Sequence, residues 1–218
     1  MWKEFLSPVP HEFFADQKPG SIAAGIDAFK DEFHFPNLLE SKITIIGVPE
    51  DRSSPDQKGT SQAPKSIRKE FYKLVSGRWD IKISDLGDIK PGRDFVDTMS
   101  ALEEICIEVI KHNSIPVILG GSSDLCFAMY RAFTRLEQNV NLTVFDSRIS
   151  LESDEDTLNS KNFLSHILTS KPYRLFNLSH VGHQAYYVAP KIIDLFERMH
   201  FTTKRLGDIR NNINLVEP

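Results

Sequence analysis

The chain has few cysteines, no long apolar run and no signal-like N-terminus. Its two cysteines, Cys106 and Cys126, lie in helical patterns and neither has a CxxC partner, so we expect buried, reduced thiols rather than a disulfide or a thiol-based site. No stretch of about 18 apolar residues is present to cross a bilayer. Residues 1–20 also lack the apolar core of a signal peptide. We therefore expect a cytoplasmic protein without a membrane partner.

The sequence also lacks an excess of positive charge. Its net charge is −4 at pH 7, and its lysines and arginines are interspersed with carboxylates rather than gathered into a stripe. This pattern argues against a nucleic-acid partner, because the phosphate backbone requires a basic surface. An apolar content of 40% is enough for a packed core. We expect a globular protein whose partner is a small molecule or a second copy in a homo-oligomer.

Residues 1–40 are predicted to form an N-terminal arm, because prolines at positions 8, 10, 19 and 36 interrupt any long element. Residues 41–218 are predicted to form an α/β domain in which short apolar strands alternate with helices. The predicted strands lie in 42–48, 80–89, 114–121, 139–146 and 173–179, and the helices in 63–74, 94–112, 164–167 and 190–199. This alternation predicts a mainly parallel sheet covered by helices on both faces.

Two of these helices carry apolar residues at helical spacing. Ile67, Phe71 and Leu74 predict the buried face of the first one. In the second, Asp94 is the predicted N-cap. Its predicted buried stripe consists of Val96, Met99, Leu102, Cys106, Val109 and Ile110.

Polar side chains follow the predicted strands, and parallel sheets bind ligands at the carboxyl ends of their strands. The candidate cleft residues are Glu50, Asp51, Asp85, Asp88, Ser122, Ser123, Asp124, Asp146, Arg148, His180, His183 and Gln184. The oxygens among them suit Mg²⁺ or Mn²⁺. Aspartates and serines at such turns are also ordinary helix caps, and the two histidines need not share a face in an extended segment. The residues alone leave these alternatives open.

The segment GGSSD at 120–124 does not match the motifs of two other functional classes. It is neither GxGxxG nor GxxxxGK[ST], and Asp124 would place negative charge where a phosphate should bind. The GxSxG elbow of serine hydrolases is absent as well. Nucleotide binding and serine hydrolysis are disfavoured, and no catalytic residue is identified.

Several segments together resemble the ureohydrolase family of arginase, agmatinase and formimidoylglutamase, and its formimidoylglutamase-like members in particular. From residue 42 onward they run in family order: IIGVPEDR, APKSIRKEFYKL, DLGDI, IPVILGGSSDL, LTVFDSR, LFNLSHVGHQAY and KRLGDIR. The resemblance implies a three-layer α/β/α fold with a mainly parallel sheet. It also implies hydrolysis of a C–N bond in a linear amidine by a hydroxide that bridges a pair of Mn²⁺ ions.

The chain departs from the family at the positions of the metal ligands. Ser123 stands where the Gly-Gly-x-His motif has its histidine. In the Asp-Ala-His-x-Asp motif Asp146 is kept, but Arg148 replaces the histidine and Ser150 the second aspartate. A guanidinium cannot ligate a cation. If a metal binds, the resemblance leaves Asp146, with Asp124 as a substitute, as its ligands.

Three functions therefore remain as hypotheses. The first is a family member that has lost the Mn²⁺ pair and the hydrolase activity, with no cofactor, in which Ser122 and Ser123 cap a helix and Arg148 pairs with Asp124 or Asp146. The second is an active Mn²⁺-dependent hydrolase of linear amidines of the formimidoylglutamate, arginine or agmatine type, whose remaining ligands lie in a missing C-terminal portion. The family's Ser-x-Asp-x-Asp motif is not in the sequence, so the fold is expected to be C-terminally incomplete. The third is a domain that acts through assembly, with an apolar sheet edge to cover.

Overall fold

A computed structural model of the chain describes residues 2–15, 18–77, 81–152 and 156–211. Within this part the chain forms two compact units, Met1–Ala132 and Phe133–Pro218. Residue 80, where one strand was predicted to begin, and 212–218, the predicted end of the domain, lie outside the described residues.

The first unit is built on a five-stranded sheet. Its strand order is β1-β4-β3-β5, and β2 pairs with β4 as well. All pairings are parallel except that of β1 with β4, so the predicted mainly parallel sheet is confirmed. The strands are β1 (Leu6–Ser7), β2 (Asp27–Ala28), β3 (Ile43–Gly47), β4 (Ile83–Ile89) and β5 (Ile115–Leu119).

Four α-helices begin in the first unit: α1 (Ile22–Gly25), α2 (Ala63–Phe71), α3 (Phe95–Lys111) and α4 (Cys126–Arg135). Asp94 caps α3 as predicted: its carboxylate accepts from the Asp97 N–H at 3.1 Å, and Asp97 reciprocates. The predicted stripe on α3 is buried at Met99, Leu102, Cys106 and Val109, whereas Val96 is 65% exposed.

Helix α2 buries only part of the predicted face, because Phe71 packs partly buried against the core and the other two predicted residues do not. Ile67 and Leu74 are 44% and 55% exposed, while Pro64 and Arg68 are buried. The prediction was wrong because a count of apolar spacing treats every arginine as a surface residue. Arg68 instead points inward, where acidic side chains compensate its charge.

The second unit contains a three-stranded parallel sheet in the order β6-β7-β8. Its strands are β6 (Val140–Phe145), β7 (Leu175–His183) and β8 (Thr202–Arg205), and its helices are α5 (Phe163–Thr169), α6 (Pro190–Arg198) and α7 (Leu206–Asn211). Strand β7 runs four residues beyond the predicted end at 179, so His180 and His183 lie within it rather than after it.

The N-terminal arm contributes short elements to the first unit. Besides β1, α1 and β2 it contains the 3₁₀ helices Trp2–Phe5 and His11–Phe14. Its apolar side chains Val9, Ala23, Ile26 and Ala28 pack with Ile45 and Tyr72. A domain boundary at residue 41 stays a prediction.

The described residues include no helix long and apolar enough to cross a membrane. Both thiols are free. Burial raises the pKa of Cys106 to about 12 and that of Cys126 to about 11, which keeps both in the unreactive protonated form at neutral pH.

Candidate functional site

Glu50 follows β3 and is 1% exposed. Its carboxylate accepts three hydrogen bonds from the Arg52 side chain, at 2.5, 3.0 and 3.1 Å. Burial would raise the pKa of Glu50, but the hydrogen bonds and charge of Arg52 outweigh it and lower the pKa. The same guanidinium donates to the backbone carbonyls of Gly92, Arg93 and Asp94, at the start of α3. Glu50 therefore ties its loop to α3.

Asp124 lies in the turn that follows β5 and is fully buried. Serine hydroxyls surround its carboxylate. Ser122 donates to Oδ1 at 2.5 Å, and Ser54 donates to Oδ2 at 2.9 Å. Ser53 donates to Oδ2 as well. Neutral donors can stabilise a buried carboxylate when each oxygen is hydrogen-bonded. This cluster joins the loop after β3 to the turn after β5.

Ser122 and Ser123 do not cap the following helix with their side chains. Ser122 occupies the N-cap position of the 3₁₀ helix Ser123–Leu125, but its hydroxyl turns to Asp124 and makes no cap bond. Ser123, at the family's histidine position, faces Gln57: its N–H donates to the amide oxygen at 2.9 Å, and its hydroxyl lies 3.3 Å from the amide nitrogen. The predicted capping is therefore corrected to a loop-to-loop contact.

Gly121 is required where these two loops meet. A Cβ at this position would lie 1.7 Å from the carbonyl oxygen of Glu50. The N–H of Ser122 donates to that same oxygen at 3.0 Å. The glycine of GGSSD thus serves the close approach of two chain segments rather than a bound phosphate.

Asp85 and Asp88 lie within β4, not after it as predicted. Both bind Arg68: Nε donates to Asp85 at 2.8 Å and Nη1 to Asp88 at 2.5 Å. Tyr72 donates its hydroxyl to Asp85 at 2.9 Å. Burial alone would lower the pKa of Arg68, but the charges of Asp85 and Asp88 outweigh it and raise the pKa. A Cβ at Gly47 would occupy the space of this network, 1.8 Å from Asp88 Oδ1.

In the second unit, Asp146 follows β6 and binds its own turn. Its Oδ1 accepts from the Ser147 hydroxyl at 3.2 Å and from the Arg148 N–H at 3.1 Å. The Arg148 guanidinium lies over the ring of Tyr187, 4.9 Å from its centroid, which is the geometry of a cation–π contact. Ser150 is buried two residues further along.

His180 and His183 are buried neighbours on β7. They are 0% and 6% exposed, and their ring centroids lie 6.1 Å apart. Nε2 of His180 lies 2.8 Å from the Arg148 carbonyl oxygen, and Nδ1 of each ring has no partner among the described residues. Burial lowers the pKa of both histidines; for His183 the charge of Arg205 lowers it further. Gln184 accepts a hydrogen bond from the Tyr186 hydroxyl.

The described parts of both units contain no group of three or more histidine, cysteine, aspartate or glutamate side chains that could hold a metal ion. Sequence reasoning missed Ser53, Ser54, Gln57 and Arg68, which bind the candidate residues. The two adjacent serines in the polar loop after β3 were the available signal for the first two. Nothing in the sequence marked Arg68 as buried.

A model of the arginase family matches residues 41–213. The chain belongs to the arginase family. The sequence resemblance is thereby confirmed, and so are the three-layer α/β/α fold class and the likeness to formimidoylglutamases. Glu50, Asp124 and Asp146 all lie inside the matched range.

Two sequence relatives of this family member are informative. Formimidoylglutamase of Halalkalibacterium halodurans is 30% identical over 122 residues, which are 51% of this chain and 38% of that protein. An uncharacterised 32.2 kDa protein of Methanothermus fervidus is 26% identical over 197 residues, which are 86% of this chain and 67% of that protein.

Solved structures show the same fold at low sequence identity. Formiminoglutamase of Trypanosoma cruzi, crystallised with Mn²⁺, matches with a TM-score of 0.72 and 18% identity over 81% of this chain and 64% of that one. Formimidoylglutamase of Bacillus subtilis matches with a TM-score of 0.67 and 18% identity over 92% of this chain and 67% of that one. The arginase-family chain thus spans about two thirds of these structures and 38% of the H. halodurans protein.

Proposed function

We propose that this arginase-family protein has lost the pair of Mn²⁺ ions and the hydrolase activity, and that it uses the family's fold to bind a small molecule or a protein subunit. The observation that carries the proposal is the environment of Asp124. Three serine hydroxyls enclose the carboxylate that would have to substitute for the missing histidine ligand. A metal ion could reach it only by displacing them.

The other inherited positions support the same proposal. Ser123 binds Gln57, and Arg148 adds a positive charge two residues from Asp146. Divalent cations in hydrolases need several carboxylates or imidazoles around each ion, so that a bound water is deprotonated near neutral pH. The donor set of the described residues does not fit a pair of such ions.

Metal content and turnover test this proposal together. The purified protein is incubated with MnCl₂, passed through a desalting column and analysed for manganese. It is then assayed for urea release from arginine and agmatine and for formamide release from formimidoylglutamate. We expect well under one ion per chain and no turnover. About two ions per chain together with turnover would refute the proposal. Formiminoglutamase of T. cruzi, which was crystallised with Mn²⁺, is treated identically as the positive control.

A second candidate is an active Mn²⁺-dependent hydrolase of linear amidines. The coverage of the relatives favours it, because the chain spans only 64% of the T. cruzi enzyme that was crystallised with Mn²⁺. Residues outside this sequence would then supply further ligands. The DNA directly after the codon for residue 218 tests this candidate. An in-frame segment that encodes Ser-x-Asp-x-Asp supports an active hydrolase, and a stop codon at that point contradicts it.

A third candidate is a domain that acts through assembly. Strand β5 stands at the end of the described sheet order, and its residues Ile115 and Val117 are 64% and 37% exposed. Apolar strand edges favour pairing with another chain. Light scattering distinguishes the outcomes, since a homo-oligomer at micromolar concentration supports assembly and a stable monomer contradicts it.

A further inference from the structure

The N-terminal arm and the end of α2 line a cavity in the first unit. Its volume is about 410 Å³, which falls within the range of small-molecule pockets. The residues that line it are Glu12, Phe13, Lys18, Ser21, Ala23, Lys69, Tyr72 and Lys73. None of them stands at a metal-ligand position of the family, and Tyr72 also donates to Asp85.

Backbone hydrogen bonds fix the shape of this cavity. The Ile22 N–H donates to the Leu74 carbonyl at 2.8 Å, and the Ala23 N–H donates to the Tyr72 carbonyl at 3.1 Å. The ring of Tyr72 is immobilised because its hydroxyl donates to Asp85. Phe13 packs against that ring in an edge contact at 5.9 Å between centroids. The cavity therefore has a preformed aromatic wall.

Ser21 contributes a buried hydroxyl that lacks a partner. The residue is 6% exposed, and its Oγ has no hydrogen-bond partner in the described part of the chain. An unsatisfied buried hydroxyl costs free energy, so such groups are uncommon in native structures. A bound molecule with an acceptor at this position would remove the cost.

The charge of the lining is positive. It comprises three lysines and one glutamate, in a chain whose net charge is −4. Glu12 is already paired with Lys65 at 3.0 Å, and Lys73 with Glu70 at 2.8 Å. Neither Lys18 nor Lys69 forms a salt bridge with any described residue. The three lysines outnumber the acidic groups near them, because Glu70 faces both Lys69 and Lys73 while Lys18 has no salt bridge in the described residues.

We propose that this cavity binds a small organic anion. Its carboxylate or phosphate contacts the lysines and the Ser21 hydroxyl, and its flat apolar part packs on Phe13 and Tyr72. A simple inorganic ion would leave the aromatic wall unused, and a neutral aromatic molecule would leave the lysines and Ser21 unused. The proposal is independent of whether the family's hydrolase activity has been lost.

Calorimetric titration with phenyl phosphate and with benzoate tests the proposal at low ionic strength, where exposed charges are least screened. We expect millimolar or tighter binding of at least one of them, and affinity at least about tenfold weaker for neutral benzyl alcohol and for inorganic phosphate. The two aromatic anions distinguish a phosphate from a carboxylate as the preferred group. Absence of binding by both anions, or equal affinity for benzyl alcohol, would overturn the proposal.

Substitutions in the lining test whether the anion binds in this cavity. The double substitution Lys69→Gln and Lys73→Gln should weaken anion binding at least about tenfold, and Ser21→Ala about threefold. Lys111→Gln is the matched control, because Lys111 is likewise an exposed lysine at the end of a helix and is paired with Glu108 at 3.1 Å. Circular dichroism checks that every variant is folded. Unchanged affinity in the double variant, or an equal loss in Lys111→Gln, would contradict the assignment.

Discussion

The two units of the chain differ in which of their buried polar groups are hydrogen-bonded. In Met1–Ala132, Glu50, Asp124 and Arg68 each have several hydrogen-bond partners, so the polar groups at and near the strand ends bind one another. In Phe133–Pro218, the buried rings of His180 and His183 each have one nitrogen without a partner in the described residues. The buried carboxylates near the strand ends of the first unit already accept internal hydrogen bonds, although its Ser21 hydroxyl has no partner in the described residues. In the second unit the two imidazoles keep unused hydrogen-bonding capacity.

This difference bears on the proposed loss of metal binding. A carboxylate that neutral or cationic donors already satisfy must lose those bonds before it can ligate an ion. An imidazole with a free nitrogen has no such cost, but a metal site needs further ligands nearby. The described residues give the histidines too few. In the described residues, the two units thus lack a metal site for different physical reasons.

The largest expected effect comes from breaking the Arg68 network of the first unit. Arg68→Met leaves Asp85 buried and uncompensated, which should lower the free energy of unfolding by about 3–5 kcal/mol. Urea denaturation followed by far-UV circular dichroism measures it. Lys69→Met, at the exposed neighbouring position, is the control and should change the value by less than about 0.5 kcal/mol. Similar small losses for both variants would show that the network does not stabilise the unit.

The second prediction concerns the serine cluster. Asp124→Ala leaves buried hydroxyls without an acceptor and should cost about 1–3 kcal/mol. The measurement is again the urea midpoint. Ser123→Ala is the matched control at the adjacent position and should cost less than about 1 kcal/mol, because its hydroxyl makes only long contacts with Gln57. A more stable Asp124→Ala protein would mean that the carboxylate is strained, as expected of a group kept for function.

The third prediction sharpens the contrast through pH. Both buried histidines have a lowered pKa in the folded state, while the unfolded chain has an ordinary value of about 6.5. As the pH falls below about 6.5, the unfolded state therefore binds protons first, and stability decreases until the folded pKa is reached. The slope is at most about 1.4 kcal/mol per pH unit for each histidine.

Urea midpoints measured between about pH 8 and pH 5 test this slope. The double variant His180→Gln and His183→Gln should flatten it, whereas His11→Gln, at an exposed position of the arm, should not. A wild-type stability that is constant over this range, or that rises toward acid, would show that the histidines are not buried in the neutral form.

The smallest effect is expected at Arg148. Its guanidinium lies over Tyr187 near the surface, so Arg148→Ala should cost about 0.5–1 kcal/mol. A double-mutant cycle with Tyr187→Leu isolates the contact, and the coupling energy should have the same size. A coupling energy near zero would show that Arg148 is unconstrained in solution.

The sequence predicts the framework of this fold well. The strands around Ile45, Val117 and Val144 carry β-branched runs that end at glycine or acidic residues, and α3 carries both a cap and an apolar stripe. These signals are local, so they can be recognised in the sequence without knowledge of the tertiary structure. The family segments, which also are local, led to the correct family.

The predictions failed for polar residues that are buried and bonded to partners distant in the sequence. Arg68 is indistinguishable from a surface arginine in the sequence, because its partners Asp85 and Asp88 lie 17 and 20 residues away. Ser53 and Ser54 meet Asp124 only once β3 and β5 pair. Likewise, the end of β7 was placed before His180 because polar residues interrupt its apolar run, although the strand continues through both histidines.

The most direct test of the central claim is a Mn²⁺ titration followed by electron paramagnetic resonance. If the acidic groups of this chain already accept internal hydrogen bonds and do not bind metal, the resonance signal of free Mn²⁺ rises in proportion to added Mn²⁺, as in buffer alone. Loss of that signal up to about two equivalents, with the spectrum of an exchange-coupled pair of ions, would contradict the account.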